Sequence, residues 1–190
     1  MKTKLLITLI LLPALAHAHP GHAGHEGDID WGLAHPFTGI DHLLAALAVG
    51  LWAGLRTGAS RFLPLAIFLG SAALGMMGGL ATGAFTGLET ALAATVLLFG
   101  SSLAGGFRMS GPLACSVAAA CAFVHGWAHG AEAPATGSAI ALVGVAIGTA
   151  AICAIGLGVA SILRAKNTVL VRGIGAATMA IAAVMLVRSF

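Results

Sequence analysis

Two short stretches carry most of the side chains that can hold an ion or move a proton. The first is His35-Pro36-Phe37-Thr38-Gly39-Ile40-Asp41-His42, and the second is His125-Gly126-Trp127-Ala128-His129-Gly130-Ala131-Glu132. Imidazoles with a few carboxylates, and no thiolate nearby, suit Ni²⁺, Co²⁺, Zn²⁺ or Cu²⁺ rather than Mg²⁺ or Ca²⁺. His125 and His129 stand four apart, so on a helix they share one face, a workable spacing for two imidazoles on one metal. His42 is followed at once by Leu43-Leu44-Ala45-Ala46. An ionisable residue leading into such a run is costly and is functional by default in a membrane span. Thr38 and Asp41 have the spacing of a helix cap, and an acid suits a helix N-terminus, but capping leaves His42 unexplained. Glu89 opens a further apolar stretch in Thr86-Gly87-Leu88-Glu89, where capping-box spacing competes with a ligand role. A looser group, His19, His22 and His25 with Glu26, Asp28 and Asp30, lies in a Gly-rich polar segment. Such a tract either captures metal or is a mobile solvated tail.

The elements that position these residues are membrane helices. Only 8% of the 190 residues are Asp, Glu, Lys or Arg, against about a quarter in soluble domains, and the mean hydropathy is +1.02. An ordinary soluble fold is excluded. Residues 1–18 read as a secretory signal, with Lys2 and Lys4, a short apolar core and Ala16-His17-Ala18 as a small-x-small cleavage site. Six apolar stretches follow at about 38–55, 62–81, 88–104, 112–128, 138–163 and 168–187, each near the ~20 residues that a spanning helix needs. Arg56 and Arg61, Arg108, and Arg164 with Lys166 fall in alternate loops, while 82–87 and 129–137 hold no Lys or Arg. The charged loops are therefore expected on the cytoplasmic side. The reading is an all-α polytopic membrane helix bundle, six transmembrane helices after a signal peptide, both termini outside. Its layout is a signal at 1–18, a His-rich periplasmic tail at 19–34 and the transmembrane domain at 35–190, in a bacterial inner membrane. Every His, Asp and Glu of the mature chain then falls on the outer side or within about two turns of it.

Repeated small residues, such as Gly75, Gly79 and Gly83, or Gly126 and Gly130, signal close helix packing. Cys115, Cys121 and Cys153 are odd in number, lie in apolar stretches and lack C-x-x-C spacing, so they read as small hydrophobes. The mature charge is near neutral, with no basic patch for nucleic acid. No G-x-x-x-x-G-K-[ST] occurs, which removes a P-loop ATPase.

At these motifs the chain resembles the HupE/UreJ family of nickel/cobalt permeases. The likeness is carried by His35 to Ala45 and Val49-Gly50-Leu51-Trp52, by Leu88-Glu89, and by Phe123-Val124 leading into the His125 to Glu132 stretch. A signal followed by His19-Pro20-Gly21 is similar too. Five residues separate His35 from Asp41, against four in the broader nickel/cobalt signature. The resemblance implies a permease and not an enzyme, taking up Ni²⁺ or Co²⁺ for metalloenzymes such as hydrogenase or urease. The ion would be cargo, with no prosthetic group. Expected partners are a divalent metal ion and the lipid bilayer, with a homo-oligomer left open. Two other classes compete on the residues alone. One is a haem-binding electron-transfer subunit with His42 and His125 as axial ligands; the other is a metal-dependent intramembrane hydrolase with Glu89 or Asp41 as base.

Overall fold

In the computed structural model, residues 28–106, 110–136, 138–164 and 168–190 are described. They form seven α-helices: α1 (Ile29–Thr38), α2 (Ile40–Gly54), α3 (Phe62–Thr82), α4 (Leu88–Gly105), α5 (Gly111–Ala131), α6 (Ser138–Arg164) and α7 (Thr168–Arg188), with a short 3₁₀ turn at Ala59–Arg61. The last five, α3 counted with that turn, are each long and apolar enough to cross a membrane. Helices α1 and α2 pass the same test only together, as one span bent by 82°. The signal segment and the tail histidines His19, His22 and His25 lie outside the described residues.

The first span departs from its expected form. Helical structure begins at Ile29, not near Thr38, and the chain breaks at Gly39. Pro36 sits inside α1, and the closing contact from the Gly39 amide to the His35 carbonyl is long, at 3.4 Å. The helix restarts with the Leu43 amide donating to the Gly39 carbonyl at 2.9 Å. Thr38 does not cap α2; its hydroxyl donates backwards to the His35 carbonyl at 2.8 Å. The capping box expected at Thr86 and Glu89 does not form either, because the cap position of α4 is Gly87 with φ +89°, and no side chain caps it.

Apolar burial cannot drive helices together in lipid, so backbone approach and side-chain fit do. Helix α1 lies on α6 with Gly32 against the Ala141 backbone and Gly144 against Ile29. Further along, Gly50 and Gly54 of α2 meet Cys153 and Leu157, and Gly156 of α6 meets Leu47. Helices α3 and α5 interlock through Gly75 and Gly79 on one side and Gly126 and Gly130 on the other. Helices α4 and α7 meet at Gly100 and Gly175. Counting α1 with α2 as span one, the main pairs are one with five, two with four and three with six. Exchanging the first three spans for the last three leaves that set unchanged, the pairing expected of an inverted three-plus-three repeat. Leu51, Phe68, Val96, Leu103 and Ile152 fill the interior, as do the free cysteines Cys121 and Cys153. Leu74, Met77, Ile147, Val169 and Val184 stay exposed, an outer surface suited to acyl chains rather than water.

Candidate metal centre

The site lies at the end of the bundle whose loops hold no Lys or Arg. His35 is in the last turn of α1, stacked on Trp31 one turn before it with ring centroids 4.3 Å apart. His42 is in the first turn of α2, next to Asp41. His125 and His129 are near the end of α5, and Glu132 stands just beyond its last residue. The glycine contacts fix these elements: α1 against α6, and α5 against α3.

One ligand atom from each of His35, His42, His129 and Glu132 lies within 4.8 Å of the others. Ligands about 2.1 Å from a metal sit up to ~4.2 Å apart, so a small contraction would let all four meet one ion. His35 Nε2 donates to Glu132 Oε2 at 2.9 Å. The His42 and His129 rings stack at 3.9 Å, and His35 meets His129 edge-on at 5.3 Å. His42 Nε2 is 3.8 Å from Glu132 Oε2 and 4.0 Å from Asp41 Oδ2. Exposure falls from 42% at the Glu132 side chain through 18% at His35 to 4% at His42, so the group has a mouth and a floor. Burial alone raises the Glu132 carboxyl, but the hydrogen bond from His35 leads the opposing effects and holds it down at about 2.

The i, i+4 pair on α5 is divided between two tasks. His129 joins the group of four, whereas His125 stands behind it with Nδ1 3.1 Å from Nδ1 of His42. Nε2 of His125 in turn meets the Thr95 hydroxyl of α4 at 2.7 Å. Asp41, 13% exposed, borders the group through His42. Glu89 is exposed at the start of α4 and is not among the four. Behind the group is a cavity of ≈ 10 Å³ lined by His42, Ala46, Phe68, Ala72, His125, His129 and Thr149. Among the described residues, His129 Nδ1 and Thr149 Oγ1 are buried without a hydrogen-bond partner.

Sequence reasoning did not single out Trp31, Thr95 or Thr149. Trp31 and His35 have i, i+4 spacing, a signal available only once the helix is carried back to Ile29. Thr95 is a lone hydroxyl in an apolar span whose partner lies 30 residues away on another helix, so no local pattern marks it.

The family model described as HupE / UreJ protein matches residues 7–186. Protein HupE of Rhizobium leguminosarum bv. viciae is 35% identical over 184 residues, covering 95% of each chain. No solved structure matches the chain.

Proposed function

The chain belongs to the HupE/UreJ family, and on that premise we propose that it is a secondary permease for Ni²⁺ or Co²⁺. One observation carries the proposal: three imidazoles and a carboxylate converge, mostly buried, at one end of a lipid-facing bundle. Buried ionisable groups are costly in a membrane and, where they pair with one another, mark ion or proton pathways by default. Imidazole nitrogen with carboxylate oxygen suits the borderline divalent ions of the later first row. The gradient of exposure lets an ion exchange water for Glu132 and His35 first, then reach His42 and His129 at the floor. The loop charges support an outward-facing mouth, with uptake as the direction and the bacterial inner membrane as the site of action. A mature N-terminus at His19, read by N-terminal sequencing, would support the signal peptide and a periplasmic tail.

The haem alternative fits the geometry poorly. His42 and His125 are joined nitrogen to nitrogen at 3.1 Å, leaving no room for a macrocycle between them. The test of the permease is nickel uptake by cells and by proteoliposomes. His42→Ala should lower uptake sharply at unchanged protein level in the membrane; unchanged uptake would sink the assignment.

A further inference from the structure

The hydrogen bonds behind the group have a direction, and a hydroxyl sets it. Thr95 donates its one hydroxyl proton to the Leu92 carbonyl at 2.7 Å. Its oxygen is then left to accept, so the contact with His125 Nε2 at 2.7 Å requires that Nε2 carry a proton. A neutral imidazole protonated at Nε2 has a bare Nδ1. That Nδ1 faces Nδ1 of His42 at 3.1 Å, and a hydrogen bond there needs one proton, which His42 must supply. His42 is left with its lone pair on Nε2, the nitrogen turned toward Glu132 and Asp41.

Two observations support this polarity. With Thr95 donating to Leu92, reversing the His125–His42 bond would place protons on both nitrogens of His125, making a cation of a residue only 3% exposed, an expensive state in a low-dielectric interior. Reversing the whole chain would take the Thr95 proton from the Leu92 carbonyl. Also, His42 Nε2 stays 3.8 Å from Glu132 Oε2, too far for an N–H···O bond. A protonated Nε2 would be drawn in to the carboxylate, as His35 is at 2.9 Å; a bare one would not.

We propose that Thr95 is a positioning residue of the metal site, which acts through His125 to fix the tautomer of His42 so that its Nε2 lone pair faces the ion. This rests on the metal-binding reading above. Ligating histidines depend on the partner of their second nitrogen for tautomer and orientation; here the partner is another imidazole, and Thr95 orients that one.

The test uses the full-length protein in detergent micelles, with Ni²⁺ as the probe and Thr95→Val and Thr95→Ser as variants. Valine matches threonine in shape but cannot accept the His125 proton. The proton then favours Nδ1 of His125, the His125–His42 bond reverses, and a proton comes to lie on the ligating nitrogen of His42. Nickel affinity should fall roughly 10- to 100-fold in Thr95→Val, as for other partners that orient a ligand, while Thr95→Ser keeps wild-type affinity. Nitrogen NMR of the metal-free, histidine-labelled protein should show His42, assigned by its loss in His42→Gln, protonated at Nδ1 in wild type and Thr95→Ser. In Thr95→Val the proton should appear at Nε2. Wild-type His42 protonated at Nε2, or wild-type nickel affinity in Thr95→Val, overturns the proposal. An equal loss in Thr95→Ser also overturns it, by making Thr95 a packing residue. A wild-type protein that binds no nickel overturns the metal-site reading, and the nitrogen spectra still decide the relay.

Discussion

Gly39→Ala separates the site from the fold. Gly39 has φ −80° and ψ 115°, an extended conformation open to any L-residue, so alanine brings no backbone strain. What it brings is a methyl group at 2.7 Å from Cδ2 of His42 and 3.1 Å from Oδ1 of Asp41. Real Cβ contacts essentially never fall below 3.0 Å, and ordinary contact begins at 3.4 Å, so the imidazole must retreat by about 0.3–0.7 Å from 2.7 Å. It has little space to do so, being stacked on His129 at 3.9 Å and tied to His125 at 3.1 Å. A hydrogen bond is lost by about 3.6 Å, which leaves roughly 0.5 Å of slack. The smaller retreat uses most of the slack and the full one exceeds it, so the His42–His125 bond is stretched or broken, or the ring turns away from His129. Nickel affinity, read by competition with a chromophoric chelator, should fall roughly 10- to 100-fold, the loss typical of a misoriented ligand. Thermal unfolding in detergent should stay near wild type. Gly70→Ala, with no atom within 4 Å of the added methyl, is the control and should alter neither. Wild-type nickel affinity in Gly39→Ala would refute the claim that His42 is held in a fixed pose for the ion.

Three further outcomes follow from the same geometry. Glu132→Gln removes the one carboxylate of the group of four and should weaken nickel binding about tenfold or more, on the scale of 1.4 kcal/mol per decade. Glu89→Gln, at an exposed position outside the group, should leave equilibrium binding unchanged in the same titration. Gly126→Ala sets a methyl 2.7 Å from the Ala72 Cα, against backbone that cannot swing aside. Overpacking of this kind costs about 1–3 kcal/mol, so the α3–α5 pair should loosen and the unfolding temperature should drop, with metal affinity falling alongside.

Much of the architecture was legible in the sequence because lipid imposes a coarse rule: about 20 apolar residues make a span. Five of the six stretches matched helices within a few residues. The first matched α2 but missed α1 before it, because Ile29 to Phe37 carries Asp30, Trp31 and His35 and is not apolar enough to read as a span. Its helix is held by neighbours instead, through Gly32 on Ala141 and Gly148 on Leu33, and pairings between distant residues leave no local pattern. The same limit hid Thr95, and it left His125 and His129 as one pair, since i, i+4 spacing shows a shared face but not which residue joins the group of four.

The bend explains why the first motif has the length it does. Residues seven apart on a straight helix lie on nearly the same face but about 10.5 Å apart along the axis, too far for two imidazoles to share one ion. His35 and His42 are seven apart, yet their ring centroids are separated by 6.1 Å. The 82° turn at Gly39 folds the second imidazole back toward the first. Pro36 weakens the helix before the turn, and Gly39 leaves the space into which the His42 ring fits. The break is therefore what lets one span bring two candidate ligands to one place. Helix α5 needs no such device, because it brings one candidate ligand, His129, from its last turns and another, Glu132, from just past its end, with His125 in contact with His42 behind them.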